Sequence, residues 1–315
     1  MRNALRIALF YVIVPVILIV AAALAWLQRD AHRPLDAYFS ERHGKLVSVS
    51  VTDASQSGNQ DSQFLTLRSD SGLHVSLRAI VGSDADAPLP VLIILGGHRT
   101  GSDAVDLFGN VGEKAVVALD YPYDGPEKAK GLFEIVRTIP LARQAFIDTP
   151  PAVSLAVDWI GEQDWADTEQ IVIVGASLGV PFAALAAARD QRISGAMLVH
   201  GAADNRVWAE AQVARRVDSD FLHRPLATLI HWLAYGPTFD AAGNVARIAP
   251  RPVIIIGARA DERTPAGQTE VLYAAAGEPK QLRWTEGLHI EPGRADIIAE
   301  LLAIADELLP FQTDN

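Results

Sequence analysis

The stretch Ile171–Pro181, read IVIVGASLGVP, limits what this chain can fold into more than any other. Ile171 to Val174 form a short β-branched run suited to a buried central strand. They lead directly into Gly175-Ala176-Ser177-Leu178-Gly179, and an Ala-rich helical pattern follows from Phe182 to Arg189. Strand, Gly-x-Ser-x-Gly and helix in succession is the context that lifts a serine hydroxyl above the end of a sheet on a sharp turn. The Leu178 N–H then stands at a helix N-terminus, where it can point at a developing oxyanion. A bare Gly-x-Ser-x-Gly is a common turn with an idle serine; the flanking strand and helix give this one its meaning.

A serine so placed needs a carboxylate and a histidine after later strands, in that chain order. Val253 to Gly257 reads as a strand, and Asp261-Glu262-Arg263-Thr264-Pro265 follows its end. A carboxylate there can accept from an imidazole Nδ1–H and fix its tautomer. Asp261 is the expected acid and Glu262 the alternative, while an Asp before Pro can also simply cap a helix. His289, in Glu286-Gly287-Leu288-His289, follows the next strand and is the expected general base. Among the other seven histidines, His200 ends a strand and is the nearest rival. A second oxyanion donor is expected from the loop Gly96-Gly97-His98-Arg99-Thr100-Gly101, at the His98 amide, partnering Leu178.

The N-terminus is different in kind. Arg2 and Arg6 precede Ile7 to Leu27, an uncharged apolar stretch closed by Arg29. Its length suits a membrane-spanning helix, and Pro15 is tolerated in such helices. A cleaved signal peptide competes, because Ala23-Leu24-Ala25 has the small-x-small form of a cleavage site. We read residues 1–27 as a signal-anchor, 28–44 as a linker and 45–315 as the catalytic domain. The positive flank before Ile7 favours a cytoplasmic N-terminus and a periplasmic or otherwise extracytoplasmic domain.

Beyond the linker, Lys45 to Val51 alternates as a strand, Asp53 to Gln63 reads as a surface loop, and Phe64–Arg68 and Leu73–Val81 form a hairpin about Ser69-Asp70-Ser71-Gly72. Buried-type strands at Val91–Leu95, Ala115–Leu119, Ile171–Val174, Ala196–Val199, Val253–Ile256 and Leu282–Trp284 then alternate with helical patterns. Antiparallel strands followed by a βαβ series indicate an α/β fold with a mostly parallel sheet and helices on both faces. Between the strands at Ala196 and Val253 lies an apolar, aromatic insertion, about 204–247, too long for one crossover helix. It is expected to serve as extra core helices, as a helical cap whose Leu229 and Trp232 shape the acyl site, or as both.

Taken together, these residues resemble the α/β-hydrolase superfamily over about Phe64 to Leu309. Val91–Gly101 is similar to its oxyanion strand and loop, Gly175–Gly179 to its nucleophile elbow, Arg251-Pro252-Val253 through Pro265 to the acid run of the dienelactone-hydrolase and prolyl-oligopeptidase-like branches, and Gly287-Leu288-His289 to its Gly-x-His. The resemblance implies a serine hydrolase of carboxylic esters, with small-molecule or lipid-like substrates and no metal or organic cofactor. Peptidase, amidase, thioesterase and acyltransferase activities use the same three side chains, and an inactive membrane-tethered binding protein on this fold is the reading from another class. The net charge of −11, with no basic stripe, argues against a nucleic-acid partner. The absence of cysteine removes disulfides, thiolate catalysis and Cys-based zinc sites.

Overall fold

The computed structural model describes residues 2–82, 88–97, 100–126, 128 and 130–308. Among these residues, nine strands form one sheet: β1 (Leu46–Ser57), β2 (Gln60–Ser69), β3 (His74–Gly82), β4 (Leu89–Leu95), β5 (Ala115–Leu119), β6 (Ala166–Ala176), β7 (Gly195–Val199), β8 (Val253–Ala258) and β9 (Lys280–Thr285). Their spatial order is β1-β2-β3-β5-β4-β6-β7-β8-β9. β1, β2, β3 and β5 pair antiparallel, and β5, β4 and β6 to β9 pair parallel. The parallel strands read as continuous apolar runs because both faces are covered.

The helices are α1 (Arg2–Ala31), α2 (Asp36–His43), α3 (Gly131–Ile160), α4 (Gly179–Arg189), α5 (Asn205–Ala214), α6 (Asp220–Leu233), α7 (Ala241–Val245), α8 (Gln268–Ala275) and α9 (Ala295–Leu308). Along β4 the side chains alternate between two cores. Val91, Ile93 and Leu95 pack with α3, α4, α7 and α8. Leu92 and Ile94 pack with α9 and a short 3₁₀ segment, Ser102–Phe108. The chain leaves β4 toward β5, then returns past β4 to β6 and continues outward. That reversal places the loops after β4 and β6 on either side of a topological switch point, where open α/β sheets put their binding crevice.

Two sequence expectations change. Residues 53–63 are not a loop: β1 and β2 form a long hairpin pairing Ala54 with Gln63 and Ser57 with Gln60, turning at Gly58, which takes φ 58°. Its outer part is exposed on both faces, so the apolar–polar alternation that marks a half-buried strand is missing, while Gly58-Asn59 is a hairpin-turn dipeptide. Residues 28–44 are not a free linker. α1 continues to Ala31, whose side chain is buried, and α2 lies along α3 with Phe39 buried and Arg42 gripping Asp148 through two hydrogen bonds of 2.9 and 2.8 Å.

At the end of α1, Asp30 pairs with Arg143 in the middle of α3 and accepts the Tyr235 hydroxyl at 3.0 Å. Arg143 also donates to the Leu233 carbonyl at 2.7 Å and lies 4.2 Å from the centroid of the Tyr235 ring. This half-buried junction fixes the end of α1 to α3 and to the end of α6. The segment Phe10–Ala31 is long and apolar enough to cross a membrane or to serve as a signal sequence.

Candidate active site

Ser177 follows β6 at φ 54°, a left-handed conformation that a non-glycine residue adopts only when its surroundings force it. Its N–H donates to the Val199 carbonyl at 2.8 Å, holding the turn against the neighbouring strand. Gly179, which starts α4, must lack a side chain: a Cβ there would lie 2.0 Å from the Leu95 carbonyl oxygen. Gly97 is a second close approach, its virtual Cβ 3.3 Å from Ser177 Cβ. Gly179 is thus required for the loop after β4 to sit beside the serine, and Gly97 eases the fit.

His289 Nε2 lies 2.7 Å from Ser177 Oγ, and its Nδ1 lies 3.1 and 2.9 Å from Asp261 Oδ1 and Oδ2. The three side chains expected from sequence therefore converge from the ends of β6, β8 and β9. Burial pushes the Asp261 carboxyl up, but hydrogen bonds from the His289 ring and the Thr264 and Arg263 N–H groups outweigh it and hold the group below its ordinary value. The acid stays ionised and can balance an imidazolium.

Glu262, the alternative acid, faces elsewhere. It accepts the His289 main-chain N–H at 3.0 Å and pairs with Arg294 at 2.8 Å. Arg294 in turn donates to the His289 carbonyl, so Glu262 and Arg294 hold the histidine's backbone while Asp261 holds its ring. From the insertion, Gln212 donates to the Arg263 carbonyl at 3.2 Å and Arg215 to that of Glu262, tying the acid loop to α5.

His200, the rival base, is fully buried with φ 52°. Its Nδ1 accepts the Ile290 N–H at 2.9 Å, which leaves the proton on Nε2 to donate to Thr285 Oγ1 at 3.0 Å. Burial, then the nearby His289, lowers its pKa to about 4, so the ring is neutral and acts as a fixed bracket for the loop carrying His289. The sequence marks His200 only as a histidine at a strand end; the Ile290 contact has no sequence signal. The Tyr121 contact has no sequence signal either. Burial pushes its phenol up, and it donates to the Gly96 carbonyl at 2.7 Å, anchoring the loop after β4. Leu178 stands at the start of α4 as expected, whereas His98, expected as the second oxyanion donor, lies outside the described residues.

Among the described residues, His200, Asp261 and His289 are the group whose ligand atoms come within 4.8 Å of one another. Every nitrogen in that set is already engaged by Thr285, Ile290, Ser177 or Asp261, so the donor set fits a hydrogen-bonded relay and not a metal centre.

The acetyl xylan esterase from Paenibacillus sp. R4 superposes with a TM-score of 0.62 at 17% identity, covering 89% of this chain and 99% of that one. The fold is that of the α/β-hydrolases. The α/β hydrolase GrgF from Penicillium sp. sh18 gives 0.56 at 16% identity over 78% of this chain and 97% of its own. Acetyl xylan esterase 1 from Thermoanaerobacterium sp. JW/SL YS485 gives 0.60 at 17%, over 89% and 97%. Neither the protein-family models nor the curated proteins compared with this sequence match it. β1 forms one edge of the sheet, antiparallel to β2.

A cavity of about 610 Å³ opens at Ser177 and His289. It runs between the sheet face carrying Leu92, Ile94, Val174 and Met197 and the side of α9 carrying Leu301. The space exists because the crossover from β4 to β5 has only the short 3₁₀ segment where the other parallel crossovers carry helices. Of the insertion, Arg216 alone lines this cavity; α6 packs on α5 and the end of α1 instead. Leu229 and Trp232 therefore do not shape this space, because their helix is drawn to the α1 junction.

Proposed function

We propose that this chain is a serine hydrolase of carboxylic esters working through an acyl-enzyme. The observation that carries the reading is the Ser177 Oγ–His289 Nε2 contact of 2.7 Å on a residue held at φ 54°. In this reading Ser177 Oγ attacks the ester carbonyl and His289 Nε2 takes its proton. The imidazolium, paired with Asp261, returns that proton to the departing alkoxide, which leaves as the alcohol. Water then attacks the acyl-enzyme, giving up a proton to His289, and the acid is released as the serine recovers its hydrogen.

The Leu178 N–H at the start of α4 is proposed to hold the oxyanion, with the His98 amide as its partner on sequence grounds. The known structures of this shape include acetyl xylan esterases, which supports ester chemistry. The cavity supports a longer acyl group than acetyl: at roughly 30 Å³ for each water-sized group, it has room for a chain of many carbons. α1 is proposed to remain as a single-pass anchor, with the catalytic domain on the extracytoplasmic side.

A fluorophosphonate probe with peptide mapping tests the reading. Labelling confined to Ser177, lost in Ser177→Ala together with hydrolysis of p-nitrophenyl esters, is the expected result. Labelling at another residue, or turnover that survives in a folded Ser177→Ala chain, overturns it.

A further inference from the structure

α3 is 30 residues long, roughly 45 Å at the helical rise. The strands it crosses are much shorter; β4 has 7 residues and spans about 23 Å. α3 starts after the C-terminal end of β5 and runs back to the beginning of β6, so its first half stands clear of the sheet at the edge where Ser177 sits. Burial follows that geometry. From Ala145 onward most side chains are buried, whereas before Arg143 the helix is open to solvent.

That open half is not polar. Phe133 is 74% exposed, and Ile135, Val136 and Leu141 are exposed beside it. α6 lies at the same end, following β7, and presents Phe221 at 82% exposure together with Leu222 and Ile230. Apolar surface on this scale, spread over two helices at one end of a domain, calls for a partner.

The page names one. Arg143 is where the open half of α3 begins, and it joins Asp30 at the end of α1 and the Leu233 carbonyl at the end of α6. α1 packs on α6 near this junction, and the apolar span Phe10–Ala31 extends from it with only Leu27 and Ala31, close to the junction, buried. The helix suited to entering a bilayer therefore leaves the domain where the exposed apolar helices meet. Charge agrees. Leaving out Arg143, which is paired with Asp30, segments 128–142 and 205–224 carry seven basic and four acidic residues, in a chain whose net charge is −11. A basic rim around apolar side chains is the pattern of an interfacial helix on anionic lipid.

We propose that the active-site end of the domain rests on the bilayer that α1 enters, with the first half of α3 and the exposed face of α6 seated at the headgroup level. The proposal does not rest on the esterase reading; it concerns only how the domain stands on the membrane.

The natural chain contains no cysteine, so single introduced cysteines report cleanly. The full-length variants Phe133→Cys, Phe221→Cys and, at the opposite edge of the sheet, Glu169→Cys would each carry an environment-sensitive fluorophore. They would be reconstituted in vesicles of phosphatidylcholine and phosphatidylglycerol. Spin-labelled lipid should quench the dyes at 133 and 221 several-fold more than the dye at 169, and aqueous iodide should do the reverse. Iodide quenching at 133 or 221 equal to that at 169 overturns the proposal. So does lipid quenching that is the same at all three positions. Thermal melts of the three variants, matched to the parent chain, establish that the labelled proteins are folded, as expected for substitutions at exposed sites.

Discussion

Asp261→Asn tests the proton geometry of the site more sharply than removal of the serine. Asp261 Oδ1 accepts two main-chain N–H groups, from Arg263 at 2.8 Å and Thr264 at 2.7 Å. An amide in this place must put its carbonyl oxygen there, because two donors already point at it. Its NH₂ then takes the position of Oδ2, 2.9 Å from His289 Nδ1, and becomes a donor to that nitrogen. A nitrogen that accepts carries no proton, so the imidazole proton moves to Nε2, 2.7 Å from Ser177 Oγ. Nε2 now donates to the hydroxyl it should deprotonate. Volume and fold are unchanged, yet the base is gone. The expected loss in kcat is about 10⁴-fold, or roughly 5.5 kcal/mol of transition-state stabilisation. Turnover of a soluble p-nitrophenyl ester measures it, and a proton resonance on Nε2 in ¹⁵N-histidine-labelled protein reports the tautomer. A folded variant within tenfold of the parent, or one whose imidazole proton stays on Nδ1, would refute the reasoning.

Other perturbations separate function from stability. Ser177→Gly should abolish turnover while raising stability by about 1 kcal/mol, because glycine occupies φ 54° without a Cβ penalty; an unchanged or lower denaturation midpoint would count against strain at the elbow. Glu262→Gln keeps an acceptor for the His289 N–H and should cost little, whereas Glu262→Ala should lower kcat roughly tenfold; equal kcat values for the two variants would remove the bracket role. His200 has a folded pKa of about 4 against an ordinary value near 6.5, so between these pH values the unfolded chain binds a proton that the folded one does not. Stability is therefore lost as pH falls from about 6.5 toward 4, by at most about 3.5 kcal/mol, and His200→Gln should lose less over that window in urea titrations; parallel pH profiles would refute the assignment.

How far the sequence spoke for itself depends on which physics each segment obeys. The parallel strands were legible because burial on both faces forces unbroken apolar runs, and Ala115–Leu119 ends where the run ends. Ser177, Asp261 and His289 could be picked out as candidates because an elbow serine's partners are expected in a set order along the chain, and the structure brings those three side chains into contact. The outer part of the β1–β2 hairpin carried no such mark, since pairing between main chains needs no core face. α2 has little sequence signal because a single side chain, Phe39, reaches the core, while Arg42 and Tyr38 seek Asp148 on α3, a partner more than a hundred residues away. The roles of His200 and Glu262 are equally non-local, each defined by a main-chain N–H on the loop after β9.

The cavity and the membrane-facing end together make a prediction about energetics that neither makes alone. A methylene taken from water into an apolar site gains about 0.8 kcal/mol, close to fourfold in kcat/KM. Esters dissolved singly in water should therefore be cleaved with a preference that climbs steeply with acyl length, until the space between the sheet and α9 is filled. A methylene taken from a bilayer has no such gain, because lipid tails are as apolar as Leu92, Ile94 or Met197. If the active-site end rests on the membrane, an acyl chain can pass from bilayer to cavity without crossing water. For esters held in the bilayer, the same enzyme should then show an almost flat dependence on chain length. Rates for one homologous ester series, measured below the critical micelle concentration with detergent-solubilised enzyme and again in proteoliposomes at fixed surface density, decide the matter. A slope equally steep in both would mean that the substrate passes through water on its way to Ser177. A slope flat in both would mean that the acyl chain lies outside the cavity.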